Sequence, residues 1–359
     1  MSGMEMMLLN SFQEWDKNGI TPEILATKDN IGNAAEALKN AGYIVHHISF
    51  ENTSINKCNQ FRCLLKENRY DIIHIHPESN FFLYTLLSLS VGHKNIVRTF
   101  HSLFKIRWIG RVRRHFDRIM ARFLGVKFHA ISDMVADFEK TQYNTVTEKI
   151  YNWYDSNRYL PVKEEDAQKL RKQMGIKAEV FVLCSVGNCS AIKRHDFLLK
   201  ALAIFNDSVD NWLYLHAGDE QEGFAERKLA SSLNIASNCQ FLGAVDNVEE
   251  ILAVSDVFVM SSKLEGLGNA ALEAMGMGTP VILTKVPGLN DLLARVPHSE
   301  GVDPTPEGIA DGLFKVYSMS SSERRLLGMK LQEQVKKDFS MPMGVDKYVR
   351  MYRSMILKN

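Results

Sequence analysis

The sequence predicts two α/β domains, each built on a doubly wound parallel sheet. Short β-branched runs alternate with helical segments in two successive series, the pattern of parallel strands covered by helices on both faces. A polar stretch from Asp155 to Gly175, holding Pro161 and the cluster Lys163-Glu164-Glu165-Asp166, separates the series. The chain of 359 residues suits two or three domains rather than one.

In the first series a helix is expected from Met6 to Lys17, stopped by Asn18-Gly19. Strands follow at Glu23–Thr27 and Tyr43–Ile48, around a helix at Asn30–Ala41 that Gly42 closes. Asp71–His76, Asn95–His101, Lys127–Ile131 and Lys149–Trp153 read as further strands with helices between them. The second series has strands at Glu179–Val186, Trp212–Ala217, Cys239–Leu242, Val254–Met260 and Pro280–Thr284. Its helices are Asp196–Asn206, Gly223–Leu233, Glu249–Ala253 and Asn269–Met277. The last ~50 residues read as helices by periodicity. The expected domains are 1–155 and 156–340, with 341–359 as a helix packing back on the first. Two such halves suggest a ligand in a cleft between them, at the carboxyl ends of the strands.

Composition narrows the function. Charged residues are 24% and the hydrophobic set 45%, ordinary for a globular protein. Lys plus Arg is 43 against 42 for Asp plus Glu, a net charge of +1, which disfavours both a bulk polycation and an acidic disordered chain. Five cysteines with no C-x-x-C disfavour a zinc ribbon or a disulfide framework and point to a reducing cytoplasm. No apolar run approaches the ~18 residues of a membrane span, and the start MSGMEMMLLNSF does not resemble a signal peptide.

The richest segment runs from Ser261 to Gly288. A strand enters a short loop, and Glu265-Gly266-Leu267-Gly268 leads into a helix near Asn269. Glycines before a helix N-terminus let free N–H groups approach an anion, and the helix dipole adds positive charge there. Glu273 lies one turn into the helix, eight positions after Glu265. A carboxylate there disfavours a bare phosphate and suits vicinal sugar hydroxyls. An isolated pair of glutamates would more often be solvated residues beside a capped helix.

This segment resembles the donor-site signature of retaining glycosyltransferases of family 4. Their E-x7-E motif sits in a frame like PS-x-x-EG-F-G-x-x-x-LEAMA-x-G-x-PV. Ser262-Lys263-Leu264-Glu265-Gly266 matches its opening, and Leu272-Glu273-Ala274-Met275-Gly276-Met277-Gly278-Thr279-Pro280-Val281 matches the rest. Ser261 replaces the usual proline. The resemblance implies the GT-B fold, two Rossmann-like doubly wound domains facing a cleft. It also implies that Glu265 contacts the transferred sugar and that Glu273 binds ribose hydroxyls. Backbone groups of Leu267, Gly268 and Asn269 would meet the sugar or the diphosphate.

Ser185 to His195 is similar to the family's VGRL-x-x-x-KG segment. The resemblance implies that Gly187 lines the donor site and that Lys193 would neutralise the leaving diphosphate. The family's arginine is Asn188 here, so one phosphate cation is missing unless Arg194 supplies it. Leu215-His216-Ala217-Gly218-Asp219 resembles the strand that ends in a glycine loop. Phe241-Leu242-Gly243-Ala244-Val245 resembles the segment whose backbone near Val245 reads the base.

The first half resembles the family more weakly. Asp71–His76 and Arg98-Thr99-Phe100-His101 look like strand ends with cleft-facing histidines. His101 is the main acceptor-side candidate, as hydrogen-bond donor or as cation. His76 divides evenly between loop cap and cleft wall, and His74 reads as core. Asn152 and Asp155 read as turn formers. Ser2-Gly3-Met4-Glu5 looks like the family's glycine loop, with only Met1 before it, so the first, central strand of the sheet is expected to be missing.

Between Arg98 and Lys127 stand nine basic residues and one acid, Asp117, a balance of +8 over 30 residues. Apolar residues including Trp108, Phe116 and Phe123 interleave with them. Residues 103–124 read either as a basic amphipathic element on an anionic membrane surface or as a helix packed on the sheet with a solvated basic face. No RNA-stacking module is evident, and no nucleic acid is expected.

The implied activity is transfer of a sugar from a nucleotide-diphosphate sugar to a saccharide or lipid-linked acceptor, in the cytoplasm or peripherally on the inner face of the membrane. Assembly of bacterial cell-surface polysaccharide is the setting expected by analogy. No D-x-D occurs, so no metal and no cofactor beyond the nucleotide sugar are expected. The rival is a non-catalytic relative that binds nucleotide or scaffolds a partner; a phosphorylase or an epimerase is a weaker alternative.

Overall fold

The computed structural model describes residues 3–101 and 108–357. The chain divides into two compact units, Met1–Trp153 with Met341–Asn359, and Tyr154–Ser340.

Unit 1 runs α1 (Gly3–Lys17), β1 (Glu23–Ala26), α2 (Gly32–Asn40), β2 (Ile44–His47), α3 (Ile55–Asn68), β3 (Ile73–Ile75), α4 (Phe81–Ser90), β4 (Ile96–Phe100), α5 (Trp108–Phe123), β5 (Lys127–Ala130), α6 (Asp133–Tyr143) and β6 (Glu148–Lys149). Unit 2 follows with α7 (Glu164–Gln173), β7 (Phe181–Val186), α8 (His195–Asn206), β8 (Trp212–Ala217), α9 (Ala225–Ser232), β9 (Cys239–Phe241), α10 (Val248–Val254), β10 (Val257–Met260), α11 (Asn269–Gly276), β11 (Val281–Thr284), α12 (Leu289–Arg295), β12 (Glu300–Val302), α13 (Pro306–Tyr317) and α14 (Ser321–Phe339). The chain then returns to unit 1 with α15 (Met341–Ile356).

Unit 2 has one parallel sheet, in the order β12-β11-β10-β7-β8-β9. The winding reverses between β7 and β10, which sit side by side with Val257 opposite Leu183. That reversal opens a crevice at the carboxyl ends of these two strands. β7, β10 and β11 are buried on both faces, as their continuous apolar sequence demands.

Unit 1 also has only parallel pairs, but in two separate sheets, β1-β2 and β3-β4-β5-β6. Tyr70, just ahead of β3, donates its hydroxyl proton to Glu23 of β1 at 2.5 Å. One core lies under α3 to α6 around Phe50, Phe81, Phe100 and Phe128. The other gathers α1 and α15 around Trp15, Trp153, Tyr348 and Met351.

Several elements differ from expectation. α1 already begins at Gly3, so Gly3 lies in the first helical turn and not in a glycine loop. The apolar run expected as one strand, Val254–Met260, is divided: Val254 ends α10, and pairing starts at Val257, where Asp256 accepts from Val182 N at 2.9 Å. β6 is two residues long, and Ile150 and Trp153 beyond it pack into the core with α15. Leu103, Phe104, Lys105 and Arg107 fall outside the described residues.

Candidate active site

The loops after β7, β8 and β9 are bonded in series through their main chains. Gly187 N donates to Ala217 O, Cys189 N to Asp219 O, and Gly218 N to Gly243 O, each at 2.8 Å. Gly218 has φ +155, and a Cβ there would sit 2.2 Å from Gly187 O, so no other residue fits. Asn188 joins the same lattice, accepting on Oδ1 from Asp219 N at 3.1 Å. Asn188 therefore works as a loop brace here. Arg194 caps α8 in the left-handed region, and its guanidinium lies 4.5 Å over the Phe197 ring. It is thus engaged with its own helix. Val245 is partly exposed on the loop after β9.

Across the crevice, the loop after β10 is tied to the loop after β7. Ser261 Oγ donates to the carbonyls of Lys193 and Arg194 at 2.9 and 3.0 Å. Lys263 N donates to Ile192 O at 2.7 Å. This scaffold brings Lys193 Nζ within 2.7 Å of Glu265 Oε1, which also accepts from Ser262 Oγ at 2.6 Å. Both partners of the ion pair remain partly exposed, at 28% and 14%, so a ligand can reach them.

Gly268 caps α11 with φ +90, and a Cβ would lie 2.7 Å from Leu289. The Leu267 side chain is buried, so only its backbone can face a ligand. Asn269 opens the helix, whose first N–H groups have no intrahelical partner. Glu273 follows one turn in. Burial pushes its carboxyl up to about 7, opposed by Arg158 and by a hydrogen bond with Tyr159. Arg158 is held by Glu249, donating at 3.0 and 2.7 Å. Its position is set by Asp155, whose Oδ1 accepts from the N–H groups of Asn157 and Arg158, the turn role expected of that residue. Arg158, Tyr159 and Glu249 are not among the sequence candidates. An arginine beside an aromatic residue in an otherwise polar stretch is the signal that could mark the first two.

In unit 1, His76 Nδ1 lies 2.8 Å from His101 Nε2. Burial lowers His76 to about 3 and carries His101 well below its ordinary value, with His76 and Arg98 adding repulsion. Of the two roles open to His101, the free unit supports the neutral hydrogen-bonding one. His74 is a core residue, bonded to Tyr352 at 2.5 Å and to Thr99 at 2.6 Å.

The strand ends also carry a buried ionic network. Arg98 pairs with Glu78 at 2.7 Å, and Arg118 pairs with Glu78 at 3.0 Å and Glu139 at 2.6 Å. Arg114 joins Glu78 at 3.2 Å. Burial alone would raise the Glu78 carboxyl, but Arg98, Arg118 and Arg114 hold it below its ordinary value. Three cations of the +8 stretch are therefore spent inside the unit. Arg111, Arg113 and Arg122 are exposed on α5, alongside Val112, Phe116 and Phe123.

Two Rossmann-like units, one carrying an anion-ready crevice at its switch point, define the GT-B class of glycosyltransferase folds. Residues 1–183 match the family described as Glycosyltransferase Family 4, and residues 166–328 match Glycosyl transferases group 1. The first match covers more than half of the chain, and the chain belongs to glycosyltransferase family 4.

Over 212 residues it is 30% identical to N-acetyl-alpha-D-glucosaminyl L-malate synthase of Bacillus anthracis, covering 58% of this chain and 54% of that protein. Over 243 residues it is 24% identical to the UDP-Gal:alpha-D-GlcNAc-diphosphoundecaprenol alpha-1,3-galactosyltransferase of Escherichia coli, covering 64% and 62%. The chain spans about a third to a half of the length of several curated relatives it matches. The crystal structure of Anabaena Alr3699/HepE in complex with UDP shares the fold, with a TM-score of 0.83 at 18% identity over 98% of this chain and 96% of that one.

Proposed function

We propose that this protein is a retaining glycosyltransferase that moves a sugar from a nucleotide-diphosphate sugar to a saccharide or lipid-linked acceptor, in the assembly of bacterial cell-surface polysaccharide. The Lys193–Glu265 ion pair at the switch point carries the reading. When a donor enters, the ammonium turns to the diphosphate and the carboxylate is released to the sugar hydroxyls. The first N–H groups of α11 face the charge that grows on the leaving group. Glu273 takes the ribose hydroxyls, and the backbone near Val245 takes the base. The acceptor belongs to unit 1, with His101 and His76 as hydrogen-bonding groups. Attack comes from the face the nucleotide leaves, and the departing phosphate oxygen accepts the acceptor's proton.

The test is a panel of UDP, GDP and ADP sugars, scored by thermal shift and by nucleotide release. Glu273→Ala should weaken donor binding at least tenfold. Glu265→Ala should lower turnover more than donor affinity. Wild-type turnover in both variants would refute the assignment. Nucleotide binding without release, whatever the acceptor, would favour the non-catalytic rival.

The face of α5 favours a second element of the proposal, peripheral contact with an anionic membrane. Phe123 is 79% exposed, and Val112 and Phe116 are each 56% exposed, flanked by exposed arginines. These positions fall on one helical stripe, and a helix serving only as sheet cover would bury them. No described helix is long and apolar enough to cross a membrane. Sedimentation with phosphatidylglycerol vesicles, but not with phosphatidylcholine vesicles, is expected. Phe116→Ser with Phe123→Ser should abolish it, and equal binding to both vesicle types would remove this element.

A further inference from the structure

We propose that Cys189, His195 and His216, with Glu226 beside them, form a Zn2+ site beneath the loop that carries Lys193. The sulfur and the two imidazoles each present a ligand atom within 4.8 Å of the others, and all three residues are buried. Cys189 Sγ lies 3.3 Å from His216 Nε2, and the rings of His195 and His216 meet edge to face at 4.4 Å. These separations are close to those of ligands sharing one tetrahedral ion.

Two further observations point to a missing partner. His195 is 4% exposed, yet its Nδ1 is buried without a hydrogen bond. Glu226 faces Cys189, and its Oε2 is also buried without a partner. Such orphaned atoms are costly and ask for an explanation. A dication answers both.

The surroundings suit one. Ser185 Oγ lies 2.9 Å from His216 Nδ1. This second contact fixes the ring with Nε2 toward the sulfur, as outer-shell partners of ligating histidines do. His195 and His216 are both buried, at 4% and 0% exposed, where a charged imidazolium is disfavoured. Burial and Glu226 hold the Cys189 thiol up, at about 12, with Glu220 adding to the effect. Lys193 and Arg227 face the histidines and oppose a cation only in part. Zn2+ binding would displace one proton from the thiol to solvent and leave a thiolate beside the metal. One thiolate and two imidazoles are a borderline-soft set that selects Zn2+ over Mg2+ or Ca2+.

The ligands come from three neighbouring elements: the loop after β7, the start of α8 and the end of β8, with Glu226 of α9 beside them. A metal here would staple those elements under Lys193 and fix the loop before any donor arrives. The site is distinct from the diphosphate chemistry proposed above, and its test needs no sugar transfer.

The full-length protein is stripped with a chelator and titrated with Co2+, then with Zn2+. About one equivalent per chain is expected, with thiolate-to-cobalt charge transfer and tetrahedral ligand-field bands that Zn2+ bleaches. Zn2+ should also raise the melting temperature. Cys189→Ser should lose the charge-transfer band, and His195→Gln should weaken Co2+ binding at least tenfold. Cys63→Ser, at an exposed cysteine in unit 1, should change nothing. The proposal fails if wild type shows no thiolate band. It also fails if the band survives Cys189→Ser or disappears with Cys63→Ser.

Discussion

The two units use one construction principle and depart from it differently. Unit 2 keeps six strands in a single sheet, holds the Lys193–Glu265 pair partly exposed at the rim, and has a pair close to burial, Arg171–Asp256. Unit 1 divides its strands between two sheets and buries charge at the strand ends, with Arg98, Arg118 and Glu139 all nearly inaccessible. A continuous sheet positions its loops through backbone topology, so side chains at the crevice are free for chemistry. A divided sheet relies on side chains for cohesion. Glu78 and Glu139 reach α5 and β4 from elsewhere in the chain and tie the second sheet together.

The contrast can be broken most forcefully at Glu78. Glu78→Ala leaves Arg98 buried without its carboxylate, and removal of one partner from a buried ionic group costs about 3–5 kcal/mol. Denaturant unfolding should show that loss while nucleotide affinity, which the proposal assigns to unit 2, stays as in wild type. A loss below about 1 kcal/mol would mean that unit 1 does not depend on its buried charge.

A pH dependence of opposite origin belongs to unit 2. The Glu273 carboxyl titrates near 7 in the fold and near its ordinary value when unfolded. Between those values the folded state holds a proton that the unfolded state has lost. This contribution is most favourable below the unfolded value, declines as pH rises to about 7 and is flat above. Glu273→Gln should therefore gain on wild type by about 3 kcal/mol between about pH 4.5 and 7.5, since each tenfold difference in proton affinity between the two states is worth about 1.4 kcal/mol. Melting curves across that range without a donor check the sign. A difference independent of pH would place Glu273 in open solvent.

The smallest effect is expected at Asn188. Asn188→Ala removes one side-chain hydrogen bond to Asp219 N, worth about 0.5–1.5 kcal/mol. Calorimetry should register that change, with a threefold to tenfold loss of nucleotide affinity as the β7 and β8 loops loosen. Asn188→Arg sharpens the comparison further, since it restores the family's cation and removes the brace. Tighter nucleotide binding in that variant would show that charge matters more than loop geometry at this position.

Much of unit 2 is legible in the sequence because its central strands β7, β10 and β11 are buried on both faces and read as apolar runs. Trp212–Ala217 has the limits its sequence predicts. The same rule misleads at Val254, where a buried helix end joins a buried strand and periodicity cannot separate them. β12, only Glu300-Gly301-Val302, is too short to announce itself. In the site, Glu265 and Glu273 stand out because their signature is contiguous, and Lys193 because Ser185 to His195 resembles a second family segment. The group of Cys189, His195 and His216 does not, because three elements contribute it and no spacing along the chain marks it. The basic stretch is visible, but its division into three inward and three outward arginines depends on Glu78 and Glu139, which lie outside it.

The serial main-chain bonding of the β7, β8 and β9 loops has a consequence for descent with modification. Where a base is read by carbonyls and N–H groups, single codon changes alter little of what is read. Preference for one nucleotide should then persist through long sequence drift and shift only when an insertion or deletion resets a loop. Acceptor choice, which the proposal rests on the exchangeable side chains of unit 1, would then be free to diverge much faster. Paralogues of this chain should therefore share a donor nucleotide more often than they share an acceptor.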